Sequence, residues 1–237
     1  HFNYRDHRKI ACIDGDVAYT GGVNIADEYA NIIERFGYWK DSGVCLEGEG
    51  AWGLTASFIR MCVNLGGVMH NEHDYYRPHT PVKSEGFCQP FTDGPQNNPD
   101  NPAEDVFLQM ISGARRFLYI TTPYFIPDES LMRALCIAGD GGVDVRLMLP
   151  GKPDHWYADC VAESYFGELV KHGVKVYRYT PGFLHGKSIM VDRVAAFVGS
   201  VNMDYRSFEL DYECGVMVYG APMIESLLED MDMIVDH

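Results

Sequence analysis

Apolar positions along the chain fall into two kinds of stretch. IACID (10–14), AYTGG (18–22) and GVCLE (43–47) are short apolar runs separated by turn residues, and each reads as a strand. Residues 49–64 have the longer mixed pattern of a helix. Residues 66–103 are rich in Pro, Asn, His and Asp, and PFTDGPQNNPDNP at 90–102 reads as loop, so this stretch is expected to be a connection. Beyond it, helix-like segments at 104–115, 128–138 and 156–172 alternate with strand-like runs at 117–122, 143–149 and 174–179. That alternation predicts parallel strands joined by crossover helices. SIMVD (188–192), AAFVGS (195–200) and GVMVY (215–219) return to the first pattern, and 221–235 reads as a closing helix. The expected fold class is α/β, with mixed sheets flanked by helices.

The return of the pattern is an internal repeat. HRKIACIDGDVAYTGGVN at 7–24 matches HGKSIMVDRVAAFVGSVN at 185–202 with an offset of 178 positions. DSGVCLEG at 41–48 matches ECGVMVYG at 213–220 with an offset of 172. The repeat divides the chain into a first lobe at 1–65, a connecting region at 66–103 and a second lobe at 104–237. About 80 residues of βαβαβ pattern precede the second copy. Almost nothing precedes the first, and residue 1 is His rather than Met. The expectation is a fragment whose first lobe lacks its N-terminal half.

Charge and cysteine usage narrow the field. There are 19 Lys and Arg against 34 Asp and Glu, a net charge of −15, which opposes nucleic acid phosphates. The seven cysteines, 12, 45, 62, 88, 136, 160 and 214, are odd in number and form no C-x-x-C, the usage of a reducing compartment. No stretch approaches the roughly 18 apolar residues of a membrane span, and the opening residues HFNYRDHRKI are not a signal peptide.

The chemistry lies in the repeated pattern H-x-K-x4-D-x6-G-x2-N. A neutral imidazole is a nucleophile toward phosphorus and an acid or base near pH 7, which makes His7 and His185 the leading candidates. Lys9, Lys187, Asn24 and Asn202 carry donors suited to phosphate oxygens, although the asparagines could also close turns. Period-2 alternation would put each histidine and its lysine on one face. Asp14 and Asp192 precede turns, so turn formation competes with direct chemistry for them. Asp41 and Glu213, heading the later strands, could each hold a histidine by one ring nitrogen, or be edge-strand charges. Arg206 either contacts phosphate or braces the site. His70, His73 and His79 have no defensible metal spacing, so they are not expected to form a metal site. Tyr124 and Phe125 suit the entrance of a site or ordinary core packing equally.

The two copies resemble the paired HKD motifs of the phospholipase D superfamily. TTPYFIPDESLMRAL (121–135), GVDVRLMLPGKPDH (142–155) and GSVNMDYRSFELDYE (199–213) are similar to bacterial cardiolipin synthases. The resemblance implies two phospholipase D-like lobes sharing one site at their interface, without metal or cofactor. It implies phosphatidyl transfer between two phosphatidylglycerols through a phosphohistidine, with His7 as nucleophile and His185 as acid and base, or the reverse. Phosphatidylglycerol and membrane lipid are the implied partners, with no nucleic acid. The implied location is the bacterial cytoplasmic membrane, with the catalytic part on its reducing face. Asp211 departs from the family, which usually has Asn there. Water as acceptor, or a non-catalytic module that binds anionic lipid, are the competing readings.

Overall fold

The computed structural model describes residues 3–69, 76–83, 86–96 and 100–237. The first repeat contributes β1 (Arg5–Asp6), β2 (Ile10–Ile13), β3 (Val17–Gly21), β4 (Tyr38–Lys40), β5 (Gly43–Glu47) and α1 (Trp52–Asn64). There follow β6 (Phe87–Asp93), α2 (Pro102–Gly113), β7 (Phe117–Thr121), β8 (Phe125–Ile126), α3 (Glu129–Asp140), β9 (Asp144–Pro150), α4 (Trp156–Lys171) and β10 (Lys175–Tyr179). The second copy of the motif spans β11 (Gly182–Leu184), β12 (Ser188–Val191), β13 (Ala195–Gly199), β14 (Met203–Asp204), α5 (Tyr205–Glu209), β15 (Asp211–Tyr219) and α6 (Met223–Val235).

The largest sheet runs β10-β9-β7-β12-β13-β15, and β1 and β6 also pair with β15. β7, β9 and β10 are parallel, with α3 and α4 as crossovers, as the alternation predicts. Local chemistry starts the helices: the Asn101 side chain caps α2, Asp128 accepts from Leu131 N to cap α3, and Asp204 accepts from Ser207 N to cap α5. α2, α3 and α4 cover one face of the sheet, burying Phe107, Ile111, Leu131, Leu135 and Leu169 against Leu118, Ile120, Leu147, Ile189 and Phe197.

The connecting region is more structured than its composition suggests. β6 runs antiparallel to Glu213–Tyr219 of β15. Pro90 donates no hydrogen bond, a loss that a strand with one partner tolerates. FCQPFTD shows no alternation of buried and exposed positions, so no periodic signal marks it. The Asp93 carboxylate accepts from Gly94 N and Ala103 N, which ties the end of β6 to the start of α2.

β2, β3 and β5 form a separate antiparallel sheet. One face, with Ala18, Val44 and Leu46, packs against Met190, Ala196, Val198, Val216 and α6. The other face is open: Ala11, Tyr19, Val23, Ile25 and Cys45 line a groove of about 760 Å3. The equivalent positions of the second repeat, among them Ile189, Phe197, Val201, Met203 and Met217, are core residues packed among α2 and α3.

Two short parallel pairings join the repeats reciprocally. β1, just before His7, pairs with the start of β15, Arg5 opposite Asp211. β11, just before His185, pairs with β4, Phe183 opposite Trp39. Under the two sequence offsets these are the same pairing made twice. His7 N donates to Tyr212 O at 2.9 Å and His185 N to Lys40 O at 2.6 Å.

Candidate active site

Those pairings set each histidine beside the acid of the other repeat. His7 Nδ1 lies 2.9 Å from Glu213 Oε1, and His185 Nδ1 lies 2.7 Å from Asp41 Oδ2. A carboxylate on Nδ1 holds the tautomer whose Nε2 carries a free lone pair. The sequence repeat exposes both acids but not this crossing.

The lysines follow the same symmetry. Lys9 Nζ donates to His7 O at 2.6 Å and Lys187 Nζ to His185 O at 2.5 Å, so each motif folds its ammonium back over its own histidine's carbonyl. The motifs lie between strands rather than within them, and this hydrogen bond adds to the backbone bonds that Tyr212 O and Lys40 O accept from the histidine N–H groups. Burial lowers the pKa of Lys9 against the opposing pull of Glu213. Lys187, only 1% exposed, is pushed down to about 7 by desolvation, with Asp41 and Glu213 opposing and Lys9 adding to the fall. Each lysine feels the other repeat's charges, so the two sets stand close to one another.

The two halves differ in depth. The His185 side chain is 6% exposed and that of His7 is 27% exposed. Burial pushes His185 down to about 3, Lys187 adds to the fall, and Asp41 opposes both. The ring is enclosed by Tyr29 at 5.1 Å, Trp39 at 5.5 Å and Phe183 at 5.6 Å between ring centroids. Desolvation works against the Asp41 carboxylate, but His185 and Lys187 outweigh it and hold the pKa below the usual range.

The acids are braced differently too. Ser200 Oγ donates to Glu213 Oε2 at 2.5 Å. Its counterpart Gly22 has no side chain, and a Cβ there would stand 2.2 Å from Asp41 Oδ1. Asp41 Oδ1 accepts from Ser42 N instead. Around His7 lie two more buried acids. Asp204 is raised to about 6 by desolvation and by Glu213 and Asp211, against its bond from Ser207 N. Asp211 is raised by burial and by Glu213, and its Oδ1 has no hydrogen-bond partner.

The remaining sequence candidates separate. Asn24 Nδ2 donates to Tyr29 OH at 2.6 Å, beside His185. Asn202 is 7% exposed and its Oδ1 is unpartnered. Arg206 Nη1 stands 3.6 Å from Asp211 Oδ1 and Nη2 donates to Asn3, the bracing arrangement. Asp14 and Asp192 do not reach the histidines. They sit at the far ends of β2 and β12 in turns with positive φ at both central residues, Asp14-Gly15 and Asp192-Arg193, a geometry that Asp tolerates. The Asp192 carboxylate accepts from the backbone N–H groups of Arg115, Arg116 and Phe117, each at 2.8 Å, which clamps the turn to the start of β7. Their direct catalytic role is corrected to a turn role. His79 N donates to Asp16, and His70 and His73 lie outside the described residues. Among the described residues, no group of three His, Cys, Asp or Glu could hold a metal ion. Phe125 is core, whereas Tyr124 packs on Phe183, which stands beside His185. Sequence alone does not single out Tyr29, Trp39, Phe183, Ser200 and Asp204, because none of them is an identity shared by the two copies of the motif.

A duplicated α/β chain with two crossed histidine–carboxylate pairs, each with a lysine beside it, is equipped for histidine chemistry on a phosphate diester. Residues 107–235 match the family described as "Cardiolipin synthase, PLD-like domain", and the chain belongs to that family. It is 39% identical over 236 residues to a protein named cardiolipin synthase from Listeria welshimeri, covering 97% of this chain and 48% of that one. It is 40% identical to one of the same name from Halalkalibacterium halodurans, covering 99% and 47%. The chain therefore spans about half the length of the curated relatives it matches. Among solved structures it is similar to phosphatidylserine synthase from Haemophilus influenzae, with a TM-score of 0.68 and 17% identity, covering 98% of this chain and 62% of that one. No described helix is long and apolar enough to cross a membrane.

Proposed function

We propose that this chain carries the transfer chemistry of a cardiolipin synthase, joining two phosphatidylglycerols into cardiolipin with release of glycerol. The observation that carries the reading is the crossing of His7–Glu213 and His185–Asp41 over a shared pair of lysines. His7 Nε2 attacks the phosphorus of the first lipid, the bond from phosphorus to the glycerol oxygen breaks, and the leaving alkoxide takes a proton from His185. His185 then removes the proton from a hydroxyl of the second lipid, that oxygen attacks phosphorus, and the bond to His7 breaks. An incoming phosphate sets its negative charge against Lys187, which relieves one cause of the low pKa of His185 and lets that ring hold the proton it must deliver. Lys9, Lys187, Asn24 and Asn202 stabilise the five-coordinate phosphorus, with Arg206 bracing Asp211.

Residues 1–65 and 104–237 each supply one His-Lys-Asn set in this reading, with 66–103 joining them. The working site faces lipid at the bacterial cytoplasmic membrane, on its reducing side. The test is product analysis by mass spectrometry after incubating the chain with phosphatidylglycerol in detergent, beside His7→Ala and His185→Ala. Cardiolipin and glycerol, absent from both variants, support the reading. Phosphatidic acid alone makes water the acceptor, and no product from a cooperatively folded chain overturns the reading.

A further inference from the structure

The two repeats treat one face of their sheets differently, and the difference can be followed position by position. Under the two sequence offsets, Tyr19, Val23 and Ile25 correspond to Phe197, Val201 and Met203. Ala11 and Cys45 correspond to Ile189 and Met217. All five second-repeat residues are buried in the core beneath α2 and α3, Phe197 with 0% exposure. All five first-repeat residues line the open groove of about 760 Å3, where Tyr19 is 46% exposed and Ile25 wholly so. The sheet edge repeats the contrast. β12 pairs on one side with β13 and on the other with β7, antiparallel, Ser188 opposite Thr121 and Val191 opposite Leu118. Its counterpart β2 pairs with β3 and, among the described residues, has no strand on its other side. Such an edge offers backbone N–H and C=O groups to a further strand.

Asp14 supplies a third and independent match. In the second repeat, the Asp192 carboxylate accepts from the N–H groups of Arg115, Arg116 and Phe117, where α2 gives way to β7. Asp14 has the same left-handed backbone, φ 54° against 52°. Its carboxylate is exposed and, among the described residues, accepts no hydrogen bond. Apolar face, strand edge and carboxylate are therefore three features that α2 and β7 satisfy in one repeat and nothing described satisfies in the other. An acyl chain would cover the apolar positions but offers no N–H group to Asp14 and no ladder to β2. A helix followed by a strand meets all three.

We propose that the open face of the first repeat docks a helix–strand unit built like residues 102–121 and supplied by polypeptide outside these 237 residues. Its strand runs antiparallel to Ile10–Ile13, its helix lies over Tyr19 and Cys45, and the N–H groups at its helix–strand junction bond Asp14. The two cardiolipin synthase relatives extend over about twice the matched length, polypeptide enough for such a unit. The groove also reaches Lys9 and Asn24, so the docked unit flanks the less enclosed half of the site.

The probe is the chain's own α2–β7 unit, which already fits the matched face. Residues 102–121 are duplicated and joined ahead of His1 of the whole chain by a linker of about 12 Gly and Ser residues, which spans about 19 Å. Reaction of each cysteine with N-ethylmaleimide is followed by mass spectrometry, with buried Cys214 as the folding control. The expected result is a roughly 10-fold slower reaction at Cys45, against a chain carrying the linker alone. Cys160, exposed on α4, is expected to react at an unchanged rate. Asp14→Gly keeps the left-handed turn and removes the acceptor. It is expected to return the Cys45 rate of the tethered chain close to that of the linker control. Without the tethered unit, Asp14→Gly is expected to leave the melting temperature nearly unchanged, whereas Asp192→Gly lowers it. Equal Cys45 rates with and without the unit, or protection that Asp14→Gly leaves intact, overturn the proposal. Protection of Cys45 in the untethered chain by phosphatidylglycerol–detergent micelles, or by raising the protein concentration, gives the face to lipid or to a second copy and overturns it too. No readout here uses turnover, so this proposal and the phosphatidyl-transfer reading fail separately.

Discussion

Asp41→Asn isolates the charge that holds His185. The amide keeps the carboxylate's shape, so the substitution removes charge with little change in packing. In either catalytic role the ring of His185 becomes an imidazolium, with Asp41 Oδ2 at 2.7 Å from its Nδ1. At an effective dielectric of about 20 and a charge separation of about 4 Å, their attraction is about 4 kcal/mol. The neutral amide retains a hydrogen bond of about 1 kcal/mol. The net loss of about 3 kcal/mol corresponds to roughly 150-fold in kcat. The assay is the initial rate of cardiolipin formation in mixed micelles, with kcat and KM separated and a thermal melt as control. KM is expected to stay within about 3-fold, because Asp41 bonds the imidazole rather than the substrate. Glu213→Gln is expected to cost less, about 10-fold, since the His7 side chain is 27% exposed and solvent screens the pair. A folded Asp41→Asn variant that loses less than about 5-fold, or that loses through KM alone, refutes the reasoning.

Gly22→Ala inserts a methyl 2.2 Å from Asp41 Oδ1 and 3.0 Å from His185 O; it is expected to lower kcat at least 10-fold while hydrogen exchange in α2–α4 stays at parent values. Asp211→Asn removes a buried carboxylate with an unpartnered oxygen and is expected to keep or raise activity and melting temperature; a clear loss of rate would give this acid its own role. Folded His185 binds its proton only near pH 3, whereas the unfolded ring titrates near 6.5. The unfolded chain thus holds the extra proton between those values, and stability falls as pH drops through that window. His185→Asn should show a smaller fall in urea midpoint between pH 7 and pH 5 than the parent, and an unchanged slope would count against the buried neutral ring.

Much of the fold was legible because its signals are periodic. Alternating helices and strands from 104 to 179 gave the parallel strands, and the repeated motif gave both histidines, both lysines and both acids. β6 was missed because a Pro-containing strand that follows the backbone of β15 needs no apolar alternation. The crossing of acids was hidden because β1, β4 and β11 are two or three residues long, too short for any period to register. Asp14 and Asp192 recur with the motif for a reason unrelated to phosphate: a hairpin with left-handed central residues selects Asp whatever the chemistry at the other end of the strand. The aromatic enclosure of His185 draws on residues 29, 39 and 183, which lie far apart in sequence and meet only after the repeats join.

The reciprocal exchange of acids has an evolutionary reading. A lone copy of the motif would hold a histidine with no carboxylate to orient it, and would have to meet a second copy before either became useful. The two copies differ in matched pairs. Asp41 occupies space that Gly22 leaves vacant, and Glu213 takes the hydroxyl that Ser200 offers. Neither member of a pair can change alone: passing from one solution to the other changes both, and changing one leaves the opposite copy's histidine poorly held.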